Sequence, residues 1–451
     1  MKKQLLSLLL SGASLAAFAQ GPNVTSWLQN TTIKGRHYVT GNSTPINDTA
    51  TANVQLVQYS ATSVYIKTQG VPTYPTGPFQ DGNPSFATGQ NATFKMPLNP
   101  TQNTGTPTNT TGGNIGLFIN GVALFDYRDG VSWKNSTNAI AGGPAGGMGD
   151  GVWNRDAVVG ERLGFDCSKG HPAMGNYHHH QNPSAFNLDL TVISTVCNLY
   201  AADGLYTIDS TTHSPLIGFA YDGFPIYGAY AFKNADGTGG ITRIKSSYNL
   251  RNITTRTTNA SGTTVTAGPA VSTTYPLGYF REDYEYIPTS SATPDYLDEH
   301  NGRFCVTPEY PQGTYAYFAT VGANWNSAYP YVVGPTFYGV KTATKVTTIS
   351  EAVTTYSPAN PSSVESKLNT CRLTVFPNPA NEFIALQADG LVNSVLQIEL
   401  YDLSGKKIIS QQILPGSTIN YLDVRTLYSG EYLLKISDGK TENTTKVVIQ
   451  R

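Results

Sequence analysis

Histidine is scarce in this chain, yet four of its seven histidines lie within ten consecutive residues. If residues 177–180 form a β-strand, successive side chains point to opposite faces, so His178 and His180 share one face with Cα atoms about 6.6 to 6.8 Å apart. Two imidazoles at that separation can converge on one metal ion, while Tyr177 and His179 face the other side. The spacing therefore predicts a metal site on one face of this strand.

Two further histidines are expected to complete the ligand set. His171 lies seven residues before His178, and the intervening Pro172 and Gly175 favour a turn that folds it back as a third ligand. His213, which precedes a Ser-Pro pair, is the fourth candidate. Imidazole ligands without a nearby cysteine pair suit copper(II) or zinc. We therefore expect one of these two metals as the cofactor.

The same region also allows a metal-free pocket. Buried tyrosine and histidine side chains normally find hydrogen-bond partners, and a polar core of this kind can hold a carbohydrate or another small ligand. The aromatic and acidic residues expected to line this pocket are Tyr177, Asp222, Phe224, Tyr227 and Tyr315. Asp222 also begins an Asp-Gly pair, which is an ordinary turn sequence.

A third hypothesis is an extracellular hydrolase or oxidase. His178 or His180, with an ordinary pKa of about 6.5, could be oriented by Asp222 or Glu299 and act on a small exported substrate. No Ser or Cys nucleophile motif accompanies the histidines, and no P-loop pattern is present. The residues alone leave open whether the protein is an enzyme.

The first 20 residues have the layout of a secretory signal peptide. Lys2 and Lys3 form a basic start, the apolar run from Leu5 to Leu10 follows, and Ala17-Phe-Ala19 provides a cleavage site. The apolar run is shorter than the roughly 20 residues that span a bilayer. We therefore expect residues 1–19 to be removed during export and no integral membrane segment to remain.

Export places the four cysteines where disulfides are allowed. Cys167 and Cys197 flank the histidine cluster, and we predict that they pair and clamp both sides of it. Buried free thiols are the alternative. Cys305 and Cys371 are predicted to stay unpaired.

The composition excludes some functions and favours a β fold. The 451 residues contain 29 Lys and Arg against 30 Asp and Glu, a net charge of −1, without the basic excess of nucleic-acid binders. The 44 Gly and 27 Pro, with 28 Tyr against 17 Phe, favour short strands joined by turns over a helical bundle. We therefore expect a mostly β protein with no nucleic-acid partner.

Local patterns predict a few particular elements. The segment Gly113–Tyr127 contains an Asn-Gly pair between apolar runs, which predicts a β-hairpin. Short helices are expected only around Arg155–Leu163 and Asp295–His300. Residues 342–370 are rich in Thr, Ser and Pro and predict a linker. The strand-length apolar segments of residues 371–451 predict a small antiparallel β-sandwich.

The last segment resembles the C-terminal sorting domain of the type IX secretion system of Bacteroidetes. The resemblance implies that residues 371–451 contact the type IX secretion machinery and direct passage across the outer membrane, to the cell surface or the medium. It depends on the order and spacing of the motifs Val375-Phe-Pro-Asn-Pro379, Leu400-Tyr-Asp-Leu-Ser-Gly-Lys406, Gly430-Glu-Tyr-Leu-Leu-Lys435 and Lys446-Val-Val448.

Residues 20–341 are assigned to one large β-rich domain with few short helices, which resembles the YHYH domain family over about residues 50–335. The matching motifs are Tyr177-His-His-His180, Gly170-His-Pro172, His213-Ser-Pro215, Asp222-Gly-Phe-Pro-Ile-Tyr-Gly228, Asn301-Gly302 and Thr307-Pro-Glu-Tyr-Pro311. His179 replaces the second Tyr of the family motif, and His300 stands where a Cys is expected. The family has no established activity, so the resemblance identifies a domain and names no reaction.

Overall fold

The mostly β prediction is confirmed by a computed structural model of the chain. It describes residues 21–42, 44–79, 85–143, 147–184, 208–290, 292–357, 364–367, 372–388, 394–413 and 419–450. Over these residues the helices are single turns, α1 (Pro22–Thr25) and α2 (Ala157–Gly160), with 3-10 turns at Arg162–Gly164 and Arg281–Asp283. No helix in the described ranges is long and apolar enough to cross a membrane.

The strands are short, as expected from the abundance of turn-forming residues. Those that precede the histidine cluster are β1 (Lys34–His37), β2 (Ile46–Thr51), β3 (Val54–Tyr59), β4 (Ser63–Thr68), β5 (Ala92–Pro97), β6 (Thr108–Asn109), β7 (Asn114–Phe118), β8 (Ala123–Phe125), β9 (Arg128–Lys134), β10 (Ala139–Gly142) and β11 (Asn154–Asp156). The cluster itself lies on β12 (Gly170–Ala173) and β13 (Asn176–His179).

The later strands belong to two groups. Those up to residue 356 are β14 (Leu216–Ala220), β15 (Pro225–Tyr227), β16 (Tyr230–Phe232), β17 (Ile241–Arg243), β18 (Tyr248–Leu250), β19 (Tyr284–Tyr286), β20 (Gly302–Cys305), β21 (Thr314–Phe318), β22 (Thr336–Phe337), β23 (Thr344–Val346) and β24 (Thr354–Tyr356). Those after it are β25 (Val364–Lys367), β26 (Arg372–Phe376), β27 (Phe383–Ala388), β28 (Leu396–Asp402), β29 (Lys407–Ile413), β30 (Ile419–Asp423), β31 (Gly430–Ser437) and β32 (Glu442–Ile449).

A mixed sheet of eight strands carries the histidine cluster at one edge. Its order is β12-β13-β8-β7-β14-β15-β21-β20, in which β13 pairs with β8 in parallel. The predicted hairpin is present as β7 and β8, an antiparallel pair. Its turn contains Gly121 with φ of 77°, and a Cβ atom there would meet Thr68 Oγ1 at 2.1 Å. Only glycine therefore fits this turn.

A second, five-stranded sheet has the order β23-β5-β4-β3-β24. Its buried Val57, Ile66 and Phe94 share one apolar core with Leu117 and Phe219 of the eight-stranded sheet. The two outer strands of the second sheet, β23 and β24, come from the segment expected to be a linker. That part of the segment is therefore paired with the first domain, although its composition is typical of linkers.

The C-terminal segment forms two four-stranded antiparallel sheets, β25-β26-β27-β30 and β29-β28-β31-β32. Residues such as Val375 and Ile384 of one sheet share a separate buried core with Leu400, Leu434 and Val447 of the other. Buried apolar residues alternate with partly buried ones along β28 and in the second half of β31, as the sequence pattern indicates. This is the predicted small antiparallel sandwich.

One of the two helix predictions is confirmed and the other is wrong. Helix α2 lies within Arg155–Leu163, and the 3-10 turn after it begins there and ends at Gly164. Asp295–His300 instead forms turns and an isolated bridge. The Asp298 carboxylate accepts hydrogen bonds from the backbone N–H groups of His300 and Gly302, at 2.9 and 3.1 Å. This side-chain cap competes with helical hydrogen bonding.

Helix α2 depends on the fully buried Asp156 at its N-cap. The carboxylate accepts from Val158 N at 2.8 Å and from the Tyr331 hydroxyl at 2.7 Å. We expect Asp156→Ala to lower the free energy of unfolding by about 1 to 3 kcal/mol, because it removes a cap and leaves a buried hydroxyl without its acceptor. Asp156→Asn keeps an acceptor oxygen and should cost less in urea unfolding at neutral pH.

The pH dependence of stability gives a second check on Asp156. Burial raises its pKa from 3.8 to about 7, so between these values the folded protein holds a proton that the unfolded chain releases. The contribution of this carboxyl to stability is therefore lost as the pH rises through that window. Urea unfolding should show that Asp156→Asn loses less stability than wild type between about pH 4 and about pH 8. Parallel pH profiles of the two proteins would contradict this assignment.

Candidate metal centre

The histidine cluster lies on a tight hairpin at the edge of the eight-stranded sheet. Strands β12 and β13 pair antiparallel, with His171 directly opposite His178. The two residues that join them, Met174 and Gly175, have φ of 49° and 82°, as a type I′ hairpin turn requires. This turn folds His171 back beside His178 and His180, as the sequence predicts.

The Nε2 atoms of His171, His178 and His180 converge. His180 Nε2 lies 3.1 Å from His178 Nε2 and 3.4 Å from His171 Nε2. One potential ligand atom from each residue lies within 4.8 Å of the other two. All three residues are buried, with exposed fractions of 7%, 2% and 3% in chain order. The hairpin thus gathers three nitrogens that could hold a metal ion away from bulk water.

Backbone carbonyls fix the protonated nitrogen of two of these rings. His178 Nδ1 lies 2.9 Å from the Asn176 carbonyl oxygen, and His180 Nδ1 lies 2.7 Å from the Asp126 carbonyl oxygen. A carbonyl only accepts, so we assign the proton to Nδ1 and the lone pair of the neutral ring to Nε2. Burial, with the nearby His171 and His180, lowers the pKa of His178 well below 6.5. His178 therefore presents a lone pair to the centre of the cluster.

Aromatic rings hold the imidazoles in place. Phe125 stacks on His178 with ring centroids 3.9 Å apart, and Phe165 meets His171 edge-on at 4.8 Å. Phe125 ends strand β8, which pairs with β13, and the next residue supplies the carbonyl that binds His180. Strand β8 and the residue after it therefore supply both the ring that packs on His178 and the carbonyl oxygen that orients His180.

Glu161 is a member of the cluster that the sequence reasoning missed. Its Oε2 atom lies 3.3 Å from Nε2 of both His171 and His180. Burial would raise the pKa of this carboxyl, but its interactions with His171 and His180 outweigh burial and hold that pKa well below its usual range. Burial likewise would lower the pKa of His180, but Glu161 raises it. The only signal in the sequence was its place in the predicted helix before the cluster.

The other face of the hairpin is a metal-free hydrogen-bond network. The fully buried Asp166 carboxylate accepts from the hydroxyls of Tyr177 and Ser168, at 2.8 and 2.7 Å, and from the backbone N–H groups of Gly77 and Gly170. A Cβ atom on Gly170 would meet the Tyr177 hydroxyl at 2.4 Å. This network fixes the strand whose opposite face carries His178 and the converging Nε2 atoms.

His179 also belongs to this other face. Its Nε2 atom lies 2.8 Å from the Tyr74 hydroxyl, and the Phe118 ring meets it edge-on. Burial lowers the pKa of His179 to about 3. The alternation expected for a strand therefore separates His179 from its two neighbours.

His213 lies elsewhere in the domain. It precedes β14, with Nδ1 2.7 Å from the Ser214 carbonyl oxygen and its ring against Tyr227 and Phe232. Burial lowers its pKa to about 4. Among the described residues, the group able to hold a metal comprises His171, His178 and His180 without it.

The chain matches the models of two known protein families. A family model described as YHYH protein matches residues 93–330, more than half of the chain. The chain belongs to the YHYH protein family. A search of the curated proteins finds no match.

A second family model, for a secretion system C-terminal sorting domain, matches residues 374–450 of this YHYH protein. That match coincides with the β-sandwich and indicates export by type IX secretion to the cell surface or the extracellular space. It also implies an interaction with the type IX machinery. The predicted signal peptide, residues 1–19, lies outside the described residues.

The residues predicted to line a ligand pocket are buried in the hydrogen-bond network of the YHYH domain. The fully buried Asp222 carboxylate accepts from the Tyr317 hydroxyl at 2.6 Å and from the backbone N–H groups of Gly339 and Phe224. Burial raises its pKa to about 6. The Phe224 ring packs edge-on against Tyr315 at 5.5 Å. Asp222 therefore also fits the structural role of a turn residue.

Two tyrosines of that set donate to carboxylates. The Tyr227 hydroxyl donates to Glu309 at 2.7 Å, and the Tyr315 hydroxyl donates to Asp298 at 2.9 Å. Their role in ligand binding stays a prediction, as does that of Tyr177 on the network of Asp166.

The cysteine predictions are tested only in part. Cys167 is buried three residues before β12, close to the histidine hairpin. Its predicted partner Cys197 lies outside the described residues, so this pairing stays a prediction. Cys305 is a free and buried thiol, as expected. Cys371 also lies outside the described residues.

The Asp166 network gives a prediction about the hairpin. Asp166→Ala should lower the free energy of unfolding by about 3 kcal/mol or more, because each buried donor left without an acceptor costs about 1 to 3 kcal/mol. Tyr177→Phe removes one hydroxyl from the same network and should cost about 1 kcal/mol. Both values are measurable by urea unfolding with a chelator present. Equal, small effects of the two substitutions would show that Asp166 does not organise this face.

Proposed function

We propose that this exported YHYH protein binds a divalent transition metal ion, copper(II) or zinc, through His171, His178 and His180. The observation that supports the proposal is the convergence of three buried Nε2 atoms. That of His180 lies 3.1 Å from that of His178 and 3.4 Å from that of His171. These atoms lie on one hairpin that the eight-stranded sheet holds in place.

The protonation pattern supports a cation at this point. The Nδ1 protons of His178 and His180 are directed to backbone carbonyls, so both neutral rings turn lone pairs toward each other. Two acceptors at hydrogen-bond distance without a proton between them repel, and burial prevents water from separating them. A metal ion removes that repulsion by accepting both lone pairs, and a proton on His180, whose pKa Glu161 raises, removes it in the metal-free protein.

The donor set favours copper(II) or zinc over other metals. Imidazole nitrogen suits both ions, whereas calcium and magnesium prefer several oxygen ligands. The metal-binding group found in the described residues contains no thiolate, which disfavours copper(I) and structural zinc sites built on cysteine. Orienting contacts from Nδ1 to carbonyl oxygens are also typical of histidines that bind metals.

The two alternative functions have weaker support. Asp222, which was expected to orient a catalytic histidine, is bonded to Tyr317 and Gly339. Glu299 has its Oε1 atom 3.8 Å from Nε2 of the adjacent His300. The carboxylate beside the cluster is that of Glu161. A hydrolase or oxidase would therefore use these histidines with Glu161 and not with Asp222 or Glu299, and a metal-free binding protein would leave the lone pairs of the histidines unused.

Metal content tests the proposal directly. Protein made without a His-tag, loaded with zinc or copper(II) and desalted, should retain about one ion per chain by mass spectrometry, and His178→Ala/His180→Ala should lose it. His213→Ala is the matched control and should retain the ion, because its ring packs against Tyr227 and Phe232. Equal metal content in wild type and the double variant would refute the proposal.

Metal removal should also change stability. A ligand that binds only the folded protein stabilises it by about 3 kcal/mol at a free concentration of about 100 times Kd. Adding a chelator to the loaded wild type should therefore lower its melting temperature, and the same addition should leave His178→Ala/His180→Ala unchanged. A chelator effect of equal size on both proteins would point to a different metal site.

A further inference from the structure

The carboxylate of Glu161 has an unsatisfied oxygen that faces the histidines. Its Oε2 atom is buried and makes no well-formed hydrogen bond, although it lies 3.3 Å from Nε2 of both His171 and His180. A buried carboxylate oxygen without a donor is costly unless a cation or proton reaches it. Its position therefore requires an explanation beyond the packing of helix α2.

We infer that Glu161 supplies a fourth donor to the metal centre, a carboxylate oxygen beside the three imidazole nitrogens. This inference rests on the metal-binding function proposed above. It replaces His213 as the fourth ligand, and imidazole nitrogen with one carboxylate oxygen is a donor set that zinc accepts.

The separations between the donor atoms can be compared with those of regular coordination geometries. Zinc bonds to nitrogen and oxygen are about 2.0 to 2.1 Å long, so neighbouring donors in a regular tetrahedron are about 3.3 to 3.4 Å apart. In a square plane, adjacent donors would be about 2.8 to 3.0 Å apart and opposite donors about 4.0 to 4.2 Å apart. Four of the six separations among these donors are 3.1, 3.4, 3.3 and 3.3 Å, near the tetrahedral value. The group of ligand atoms within 4.8 Å of one another comprises the three histidines without Glu161, so the carboxylate must move toward His178 for all four donors to reach one ion.

The surrounding chain holds Glu161 in this position. Its backbone N–H donates to the Ala157 carbonyl at 2.9 Å, which closes the single turn of α2 capped by Asp156. At Gly160 a Cβ atom would meet Arg155 Nε at 2.5 Å, so glycine allows that guanidinium to lie against the turn. Arg155 in turn pairs with Asp129. The carboxylate is thus attached to a fixed element, as a metal ligand needs to be.

Glu161 is also the most exposed member of the set. Its side chain is 24% exposed, against 9% for His171 and 3% for His180. An ion reaching the site from solvent therefore meets the carboxylate before the imidazoles. Three neutral imidazoles and one carboxylate leave a divalent ion with a net charge of +1, less than three imidazoles alone would leave. Both properties favour capture of a cation at this side.

A Glu161→Gln substitution tests the inference while it keeps the size of the side chain. Zinc affinity, measured by competition with a chromophoric chelator, should fall at least about tenfold, because even groups outside the ligand shell are worth about 10- to 100-fold. Glu299→Gln is the matched control: it removes the same charge from a side chain that is 55% exposed and should leave affinity unchanged. The visible spectrum of bound cobalt(II) depends on its ligands, so Glu161→Gln should give a spectrum that differs from that of wild type.

Each outcome has a distinct meaning. If wild type binds no metal, the proposed function fails. If wild type binds zinc and Glu161→Gln binds it equally well with an unchanged cobalt spectrum, only the role of Glu161 is overturned. Melting curves in excess chelator should be alike for wild type and Glu161→Gln, which separates ligand loss from misfolding. If Glu161→Gln does not fold, Glu161→Asp is the second variant: it keeps the charge and moves the carboxylate back by one methylene. A zinc affinity of Glu161→Asp equal to that of wild type would also overturn the inference.

Discussion

The centre depends on one constraint: buried lone pairs are directed toward the same point. The carbonyls of Asn176 and Asp126 take the Nδ1 protons of His178 and His180, so the Nε2 atoms cannot satisfy each other as neutral groups. Moving either ring away would break an orienting hydrogen bond and disturb its packing on Phe125. The fold therefore maintains an arrangement that is unfavourable without a cation or proton and favourable with one.

The opposite face of the hairpin explains why this arrangement persists. Asp166 collects donors from side chains and backbone, and one of them is the Tyr177 hydroxyl. Tyr177 and His178 are adjacent in one strand, so fixing the tyrosine fixes the direction of the histidine beside it. Hydrogen bonds that involve an ionised group are stronger than neutral ones. The two faces of strand β13 thus have different roles. The face of Tyr177 holds the strand in place, and the face of His178 carries the converging nitrogens.

Sequence reasoning found the parts of the centre that follow from local geometry. Strand alternation gave His178 and His180 a common face, and a turn at Gly175 returned His171 to them. It could not find Glu161, because a single glutamate in a short helix has no characteristic spacing and its contact is set by tertiary packing. His213 was predicted as the fourth ligand from its place before a Ser-Pro pair, but that place does not determine the distance between His213 and the other three histidines. The strands within residues 342–370 were missed because edge strands rich in Thr resemble linkers in composition.

The boundary between the two cores lies between residues 356 and 364. Strand β24, which ends at Tyr356, pairs with β3 of the first domain, whereas β25, which begins at Val364, pairs with β26 of the sorting sandwich. The sandwich residues Leu373 to Ile449 form a core with no member from the first domain. A cut between residues 356 and 364 would therefore leave every strand pair named above intact. Among the described residues, the strand pairs that hold the histidine hairpin, β12 with β13 and β13 with β8, include no strand of the sorting sandwich.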